Sequence, residues 1–372
     1  MSGLEQPVAS VCLPRGAGAA SIEDGRIAPP SGKVTLILTN SYDLAANRLV
    51  RRLGNDRVFR LNVDLWRDYR IELRHGDFLI ENPTGRSVRR RDIAKLFWRK
   101  PISRFKLQGH SASAYRSWGQ RAVDVLWRRR SRNRPTPTDY YLEEEVFYAI
   151  REIKNLLWQD GRVVLIEPAA YMRLGKFVQM ERASSFFDVP SYEFALNRTR
   201  EERARRRRVV KSLTSERIGD DGFFWTTEVD ENALDDRGPW LVQDVVEARL
   251  DVTVVYVRGR AFAFALDRTS FTDKTLDWRE VGEQTTPLWV PHTLPEAVLK
   301  QTLAYMQHIA LDYGRLDFLF DGERYWFLEV NANGEWDWLD PNGTGGVLDA
   351  ISAELDPDST VHAIPTCQTA LC

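Results

Sequence analysis

The sequence predicts an α+β protein of more than one lobe, and three observations carry that expectation. Short apolar runs alternate with helix-patterned segments along most of the chain. The 372 residues exceed what one hydrophobic core usually organises. Apolar residues make up 43 % and charged residues 28 %, a balance that supports a large core and excludes global disorder.

Residues 1–32 are rich in Gly, Ala, Pro and Ser and lack any period, so a tail is expected there. The first unit, 33–135, opens with VTLILTN at Val34–Asn40, a run short enough for a buried strand. The helix YDLAANRLVRRLG follows and stops near Gly54, and VFRLN at Val58–Asn62 is a second strand. IAKLFWRKP closes the unit with a strand carrying Arg99 and Lys100.

The second unit, 136–355, opens with a helix from Asp139 to about Gln159. Leu142, Val146, Ala149, Ile150, Ile153 and Leu157 form its apolar stripe, and Gly161 stops it. The strand VVLIE, the helix RLGKFVQMERASSFFDV and the breaker Pro190 come next. A β-rich stretch then contains VVKSL, WLVQDVV, DVTVVYV and AFAFAL, with RGR as the turn between the last two. Thr293 with Glu296 three residues on fits a capping box, Pro295 suits the first turn, and Gly314 is expected to end this helix. The hairpin LDFLF-DGER-YWFLEVN follows, and residues 356–372 read as irregular.

Charge narrows the function classes. Lys+Arg is 52 and Asp+Glu 53, so the net charge of -1 gives no global reason to expect a nucleic-acid or membrane partner. Between Thr84 and Arg134, however, sixteen Lys and Arg face only Asp92 and Asp124. The three cysteines, Cys12, Cys367 and Cys372, lie in the terminal segments, which excludes a disulfide framework and a Cys-rich zinc site. The five histidines form no H-x-x-x-H pattern. No apolar run reaches the roughly 20 residues of a membrane span, and no basic-then-apolar signal pattern opens the chain, so a cytoplasmic setting is expected.

The candidate site lies on the last hairpin. Glu329 and Asn331 are two residues apart on one strand and share a face. Asp317, on the strand before, joins that face only in a register that sets 317 opposite 329, which needs an odd loop such as Gly322–Arg324 or a β-bulge. Two carboxylates and an amide oxygen on one face make a hard-cation set suited to Mg²⁺ shared with phosphates. The alternative is a half-exposed hairpin with a solvated polar face.

The order of the other pieces resembles the ATP-grasp superfamily, and in particular the graspetide ligases, maturases of ribosomal peptides of the microviridin type. The resemblance runs from about Val34 to Glu354. It rests on VTLILTNSYDLAANRLVRRL, LFWRKP, GKFVQMERASSFFDVPSYEF, VVKSL, TTEVD, LVQDVVEARLDVTVV, LDWRE, YGRLDF and FLEVNANGEWDWLD in that order. It implies an ATP-grasp fold with an N-terminal pre-ATP-grasp α/β domain, and two lobes hinged near 243–247.

The resemblance also implies roles. Lys176 and Lys211 reach ATP phosphates, and the hinge around Gln243, Asp244 and Val246 reads adenine. Asp251 receives ribose hydroxyls. Asp317, Glu329 and Asn331 hold Mg²⁺, and Arg279 faces the transferring phosphoryl group, with Arg315 ranked second. Arg99 and Lys100 line the cleft for an acidic precursor peptide. Two positions depart from the family: Thr253 stands where many relatives have Arg, and Glu335 where they usually have Gln.

The implied activity activates Asp or Glu side chains of a precursor peptide as acyl phosphates and closes ester or amide macrocycles. The implied partners are that peptide and a second copy of the chain, with no nucleic acid or membrane. An ATP-grasp ligase of free amino acids or small peptides is the alternative.

Overall fold

The structure is a computed structural model, and it describes residues 32–99, 137–197, 207–213, 226–230, 234, 238–270, 277–278 and 288–360. Lys100, Arg279, the three cysteines and most of the Arg-rich stretch lie outside the described residues.

The N-terminal unit opens with β1 (Val34–Thr39), α1 (Leu44–Leu53) and β2 (Val58–Asn62). A small antiparallel sheet follows, formed by β3 (Arg70–Arg74), β4 (Asp77–Glu81) and β5 (Ser87–Arg89), and then β6 (Ile93–Trp98). The main sheet here is parallel, in the order β2-β1-β6. Asp43 starts α1: its Oδ1 accepts from the Ala46 N–H at 3.0 Å. The sheet β3-β4-β5 has no counterpart in the sequence reading. Its strands are three to five residues long and its outer positions are polar, so their alternation is too brief to read.

α2 (Pro137–Gln159) is the long expected helix. Its Ile150, Ile153 and Leu157 share one core with Leu36, Phe59 and Leu96, so it packs on the parallel sheet of the N-terminal unit. Order along the chain groups this helix with the second unit, whereas its packing joins it to the first. The expected strand Val163–Glu167 is reduced to one bridge, Leu96 with Val163, because Leu165 turns the chain at φ 62°. The single helix expected after it is two, α3 (Ala170–Arg173) and α4 (Lys176–Ala183), broken at Leu174–Gly175.

Two further sheets follow. One is antiparallel, in the order β7 (Tyr192–Ala195), β10 (Trp240–Asp244), β8 (Arg208–Lys211), β9 (Thr227–Val229). The other has five strands, in the order β13 (Val290–His292), β12 (Arg260–Asp267), β11 (Leu250–Val257), β14 (Tyr313–Phe320), β15 (Tyr325–Asn331). The β11–β12 turn is two residues, not the expected three. Arg258 and Gly259 both have positive φ, 39° and 81°, as a primed hairpin turn needs, and Arg260 joins β12.

α5 (Glu296–His308) starts later than expected. The backbone before a proline is biased away from the helical region, so Leu294 stays outside and Pro295 is the cap, with no side-chain capping bond. Gly314 does not end this helix. It lies in β14, where a Cβ would meet Val330 Cγ2 at 2.9 Å. α6 (Val347–Leu355) closes the described chain.

The five-stranded sheet separates two cores. On one face Val252, Val254, Leu316, Phe318 and Phe327 pack on α4 and α5. On the other, Val255, Val257, Phe264 and Tyr313 meet α1, α6 and Phe97 of β6. No helix among the described residues is long and apolar enough to cross a membrane.

Candidate active site

The expected hairpin register forms through a bulge. Phe320 faces Tyr325 across a four-residue turn, and Phe318 faces Phe327 in the same register. One residue further the register shifts, and Asp317 faces Glu329 with Leu328 left over. Without that shift Phe327, Glu329 and Asn331 would all point to one face. With it, Phe327 is fully buried in the α5-facing core while Glu329 and Asn331 turn to the opposite face.

Thr253, Asp317 and Glu329 then form one row across β11, β14 and β15, and Val255, Arg315 and Asn331 form the next. Thr253 Oγ1 donates to Asp317 Oδ1 at 2.6 Å. Arg315 donates to the same carboxylate through Nε at 3.2 Å and Nη2 at 2.9 Å. Asn331 Nδ2 donates to Glu329 Oε1 at 3.1 Å and lies 3.5 Å from Asp317 Oδ2. Asp317, Glu329 and Asn331 therefore converge, as the sequence reading required.

The lysines approach from α4 and from β8 of the other sheet. Lys176, the first residue of α4, places Nζ 3.5 Å from Glu329 Oε2 and donates to the Ser212 carbonyl at 2.8 Å. Ser212 follows Lys211, whose Nζ donates to Gln243 Oε1 at 2.6 Å. Lys176 thus spans from the end of β8 to the carboxylate row. Gln179, which sequence reasoning missed, fixes the helix that carries it: its Oε1 accepts from the Val330 N–H at 2.9 Å and its Nε2 donates to Leu174 O at 2.7 Å.

The segment after β10 links the two sheets. Gln243 is buried, while Asp244 points to the other face of the strand and pairs with the buried Arg208. The backbone N–H of Asp244 donates to Ser191 O and that of Val245 to Arg207 O, at 2.8 and 3.1 Å. Val246 is half-buried beyond them.

Asp251 and Thr253 share a face of β11. Both Asp251 oxygens are engaged by Arg268, Nε at 2.8 Å and Nη2 at 3.1 Å. Burial pushes the Asp251 carboxyl above its ordinary range, Arg268 opposes this, and the nearby Asp277 and Asp317 add to it. Arg268 and Asp277 were also missed. The two-residue turn at Arg258–Gly259 is the signal that could have found Arg268, because it sets Leu250 opposite Asp267.

Arg99 departs from its expected place. It is fully buried, with Nε 2.9 Å from Asp43 Oδ2 and Nη2 on Glu335, so its charge meets carboxylates of this chain instead of a cleft. Burial opposes its charge, but Asp43 and Glu335 more than offset that and hold its pKa above the ordinary value. The departure at Glu335 is accommodated by this pair. The departure at Thr253 is accommodated by its hydrogen bond to Asp317.

The donor set fits a hard cation. The Asn331 amide reaches both the Asp317 and the Glu329 carboxylate, with a lysine beside them and no sulfur or imidazole ligand among them. Among the described residues there is no group of three His, Cys, Asp or Glu that could hold a metal, so the amide is needed to complete the set.

No family model and no curated protein matches the chain. Solved structures do. A RiPP-associated ATP-grasp ligase from Chryseobacterium gregarium, in complex with ADP and a leader and core peptide, is similar at TM-score 0.67 and 21 % identity, over 89 % of this chain and 98 % of that one. The macrocyclase MdnC from Microcystis aeruginosa, bound with the precursor peptide MdnA, is similar at TM-score 0.63 and 19 % identity, over 87 % and 99 %. The ligase PsnB, with a minimal-precursor variant, Mg and ADP, is similar at TM-score 0.57 and 14 % identity, over 86 % and 97 %. At these identities the likeness speaks for architecture, and the chain has the ATP-grasp fold.

Proposed function

We propose that this chain is an ATP-dependent ligase that activates Asp or Glu side chains of a ribosomally made precursor peptide and closes them into ester or amide macrocycles. The row Thr253–Asp317–Glu329 with Lys176 beside it carries the proposal. It supplies a hard-cation set and a phosphate-seeking cation in a fold whose solved examples include ligases bound to precursor peptides.

Asp317, Glu329 and Asn331 would hold Mg²⁺, which when bound offsets phosphate charge. Lys176 and Lys211 draw the ATP phosphates in as point charges, and Arg315 and Arg279 face the phosphoryl group in transit. The hinge from Val246 onward meets adenine, because the N–H groups of Asp244 and Val245 are already bonded within the chain. Gln243 and Asp244 shape that hinge through Lys211 and Arg208. Asp251 receives the ribose hydroxyls.

A carboxylate oxygen of the peptide attacks the γ-phosphorus and ADP leaves. A Ser or Thr hydroxyl, or a Lys amine, then adds to the acyl phosphate carbonyl, and phosphate departs with the proton. The exchange needs no enzyme nucleophile. Lys100 remains a candidate peptide contact, whereas Arg99 acts from within the core. A pre-ATP-grasp unit that keeps α2 on its sheet, with an ATP-grasp unit after it, a homodimer and a cytoplasmic setting belong to the same proposal and rest on the resemblance.

The test uses purified protein, ATP, Mg²⁺ and an acidic peptide with repeated Thr or Ser and Asp or Glu near its C-terminus, of the kind a short reading frame beside the gene would encode. Loss of one water per bond in the peptide mass, with phosphate release, is expected, and Glu329→Gln should abolish both. Phosphate release driven by free amino acids with the peptide mass unchanged would favour the small-substrate ligase.

A further inference from the structure

We propose that Gln179 is a positioning residue for phosphoryl transfer, holding the start of α4, with Lys176, at a fixed separation from the strand that carries Glu329 and Asn331. The inference rests on the reading of Lys176 as a phosphate-binding cation beside a metal set.

Two places in the backbone need a partner, and one side chain serves both. β15 is the edge strand of its sheet, so its outward N–H groups must bond outside the ladder. Phe327 N–H donates to Asp188 O at 2.8 Å, and Val330 N–H to Gln179 Oε1 at 2.9 Å. These two are three residues apart instead of two because Leu328 is the extra residue of the bulge. Val330 lies between Glu329 and Asn331, so Gln179 grips the strand in the middle of the expected metal set. The second place is the break between α3 and α4. Leu174 leaves helical geometry there, at φ -125° and ψ 58°, and its carbonyl accepts from Gln179 Nε2 at 2.7 Å.

A glutamine suits this double task because its amide accepts and donates without carrying charge. It is buried, and Tyr305 Oη of α5 donates to its main-chain oxygen at 3.2 Å, which fixes it from a third side. Gln179 and Lys176 are three residues apart on α4 and lie on one side of the helix. Lys176 Nζ then stands 3.5 Å from Glu329 Oε2 and 2.8 Å from the Ser212 carbonyl. A lysine stem is flexible, so the ammonium keeps that place only while the first turn of α4 does. Without the Gln179 amide, the Val330 N–H is buried without its acceptor and the α3–α4 break is free to pivot. Lys176 then loses its fixed separation from the carboxylates.

The experiment measures ADP binding with Mg²⁺ by calorimetry in the full chain, in Gln179→Met, in Lys176→Met and in the two combined, with melting temperatures alongside. Lys176→Met should weaken ADP about tenfold, the worth of one hydrogen bond to a charged group. Gln179→Met should weaken it about threefold or more, within the range of coupling between residues of one network. The combined variant should bind no more weakly than Lys176→Met alone, because the glutamine acts through the lysine. Losses that multiply to about thirtyfold overturn the proposal, since independent sites add in free energy. A Gln179→Met protein that melts earlier yet binds ADP as the parent does overturns it too, and leaves Gln179 a packing role. Where the methionine variant does not fold, Gln179→Asn takes its place in the cycle: one methylene shorter, it cannot hold both Val330 and Leu174, and the same outcomes decide. If Lys176→Met itself binds ADP like the parent, the nucleotide reading of Lys176 fails and the inference falls with it.

Discussion

Arg99 decides how its neighbourhood is understood at the scale of single residues. A guanidinium with no exposure, between Asp43 and Glu335, is stabilised only as part of that group. Asp43 in turn accepts from Thr39 Oγ1 at 2.5 Å and caps α1. Arg99→Met leaves two carboxylates facing each other, and losing one partner of a buried pair costs about 3–5 kcal/mol. Glu335 is 36 % exposed, which places the expected loss at the lower end. Urea unfolding should show it, with Arg99→Lys recovering part. A midpoint unchanged in Arg99→Met would mean that the charge is solvated and the cleft role open again. The sequence could place Arg99 on a strand but not choose its face, because LFW before it is apolar at every position and lacks alternation.

Among the elements, the β14–β15 hairpin was the most legible, and its legibility had a limit. The residues of the row follow from the spacing of Asp317, Glu329 and Asn331. Whether an odd loop or a bulge sets the register does not, since both satisfy the same parity. The structure chooses a bulge because the even turn is independently stabilised. Asp321 Oδ1 accepts from the N–H of Glu323 and of Arg324, both at 2.8 Å, and Oδ2 accepts from Trp326 Nε1 at 2.7 Å. The Trp326 bond, with those two backbone bonds, holds the Asp321 carboxyl down at about 2. A depressed carboxyl contributes stability that is present above its unfolded value near 4 and is lost as pH falls through about 2. Asp321→Ala should therefore lower the melting temperature clearly at pH 7, and the gap to the parent should narrow steadily between pH 4 and pH 2. A gap independent of pH would assign the turn's stability to its backbone alone.

Across the whole molecule, the site exists because three sheets meet through shared elements. α4 joins the β7–β10 sheet side to β15 through Lys176 and Gln179. The loop after Asn331 joins β15 to the N-terminal unit: Tyr313 Oη donates to Gly334 O at 2.6 Å, Arg315 to Glu335 O at 3.2 Å, and Arg48 to Asp337 at 2.9 Å. A Cβ on Gly334 would meet Arg315 Cβ at 2.5 Å, so this loop has no slack. Order along the chain suggested separate domains, because contacts between residues some 250 positions apart leave no local pattern. Yet Ala46, Phe97, Val255, Trp336 and Ile351 belong to one apolar core, and Lys95 and Arg57 bind the end of α6. Domains that share a core unfold together. A calorimetric scan should thus give a single transition whose van't Hoff and calorimetric enthalpies agree. Arg48→Met, which removes a bond to Asp337 and the stacking of Arg48 on Trp336, should move that whole transition down by a few degrees instead of splitting it. Two resolved transitions in the parent protein would show that the N-terminal unit is held to the rest only by surface contacts.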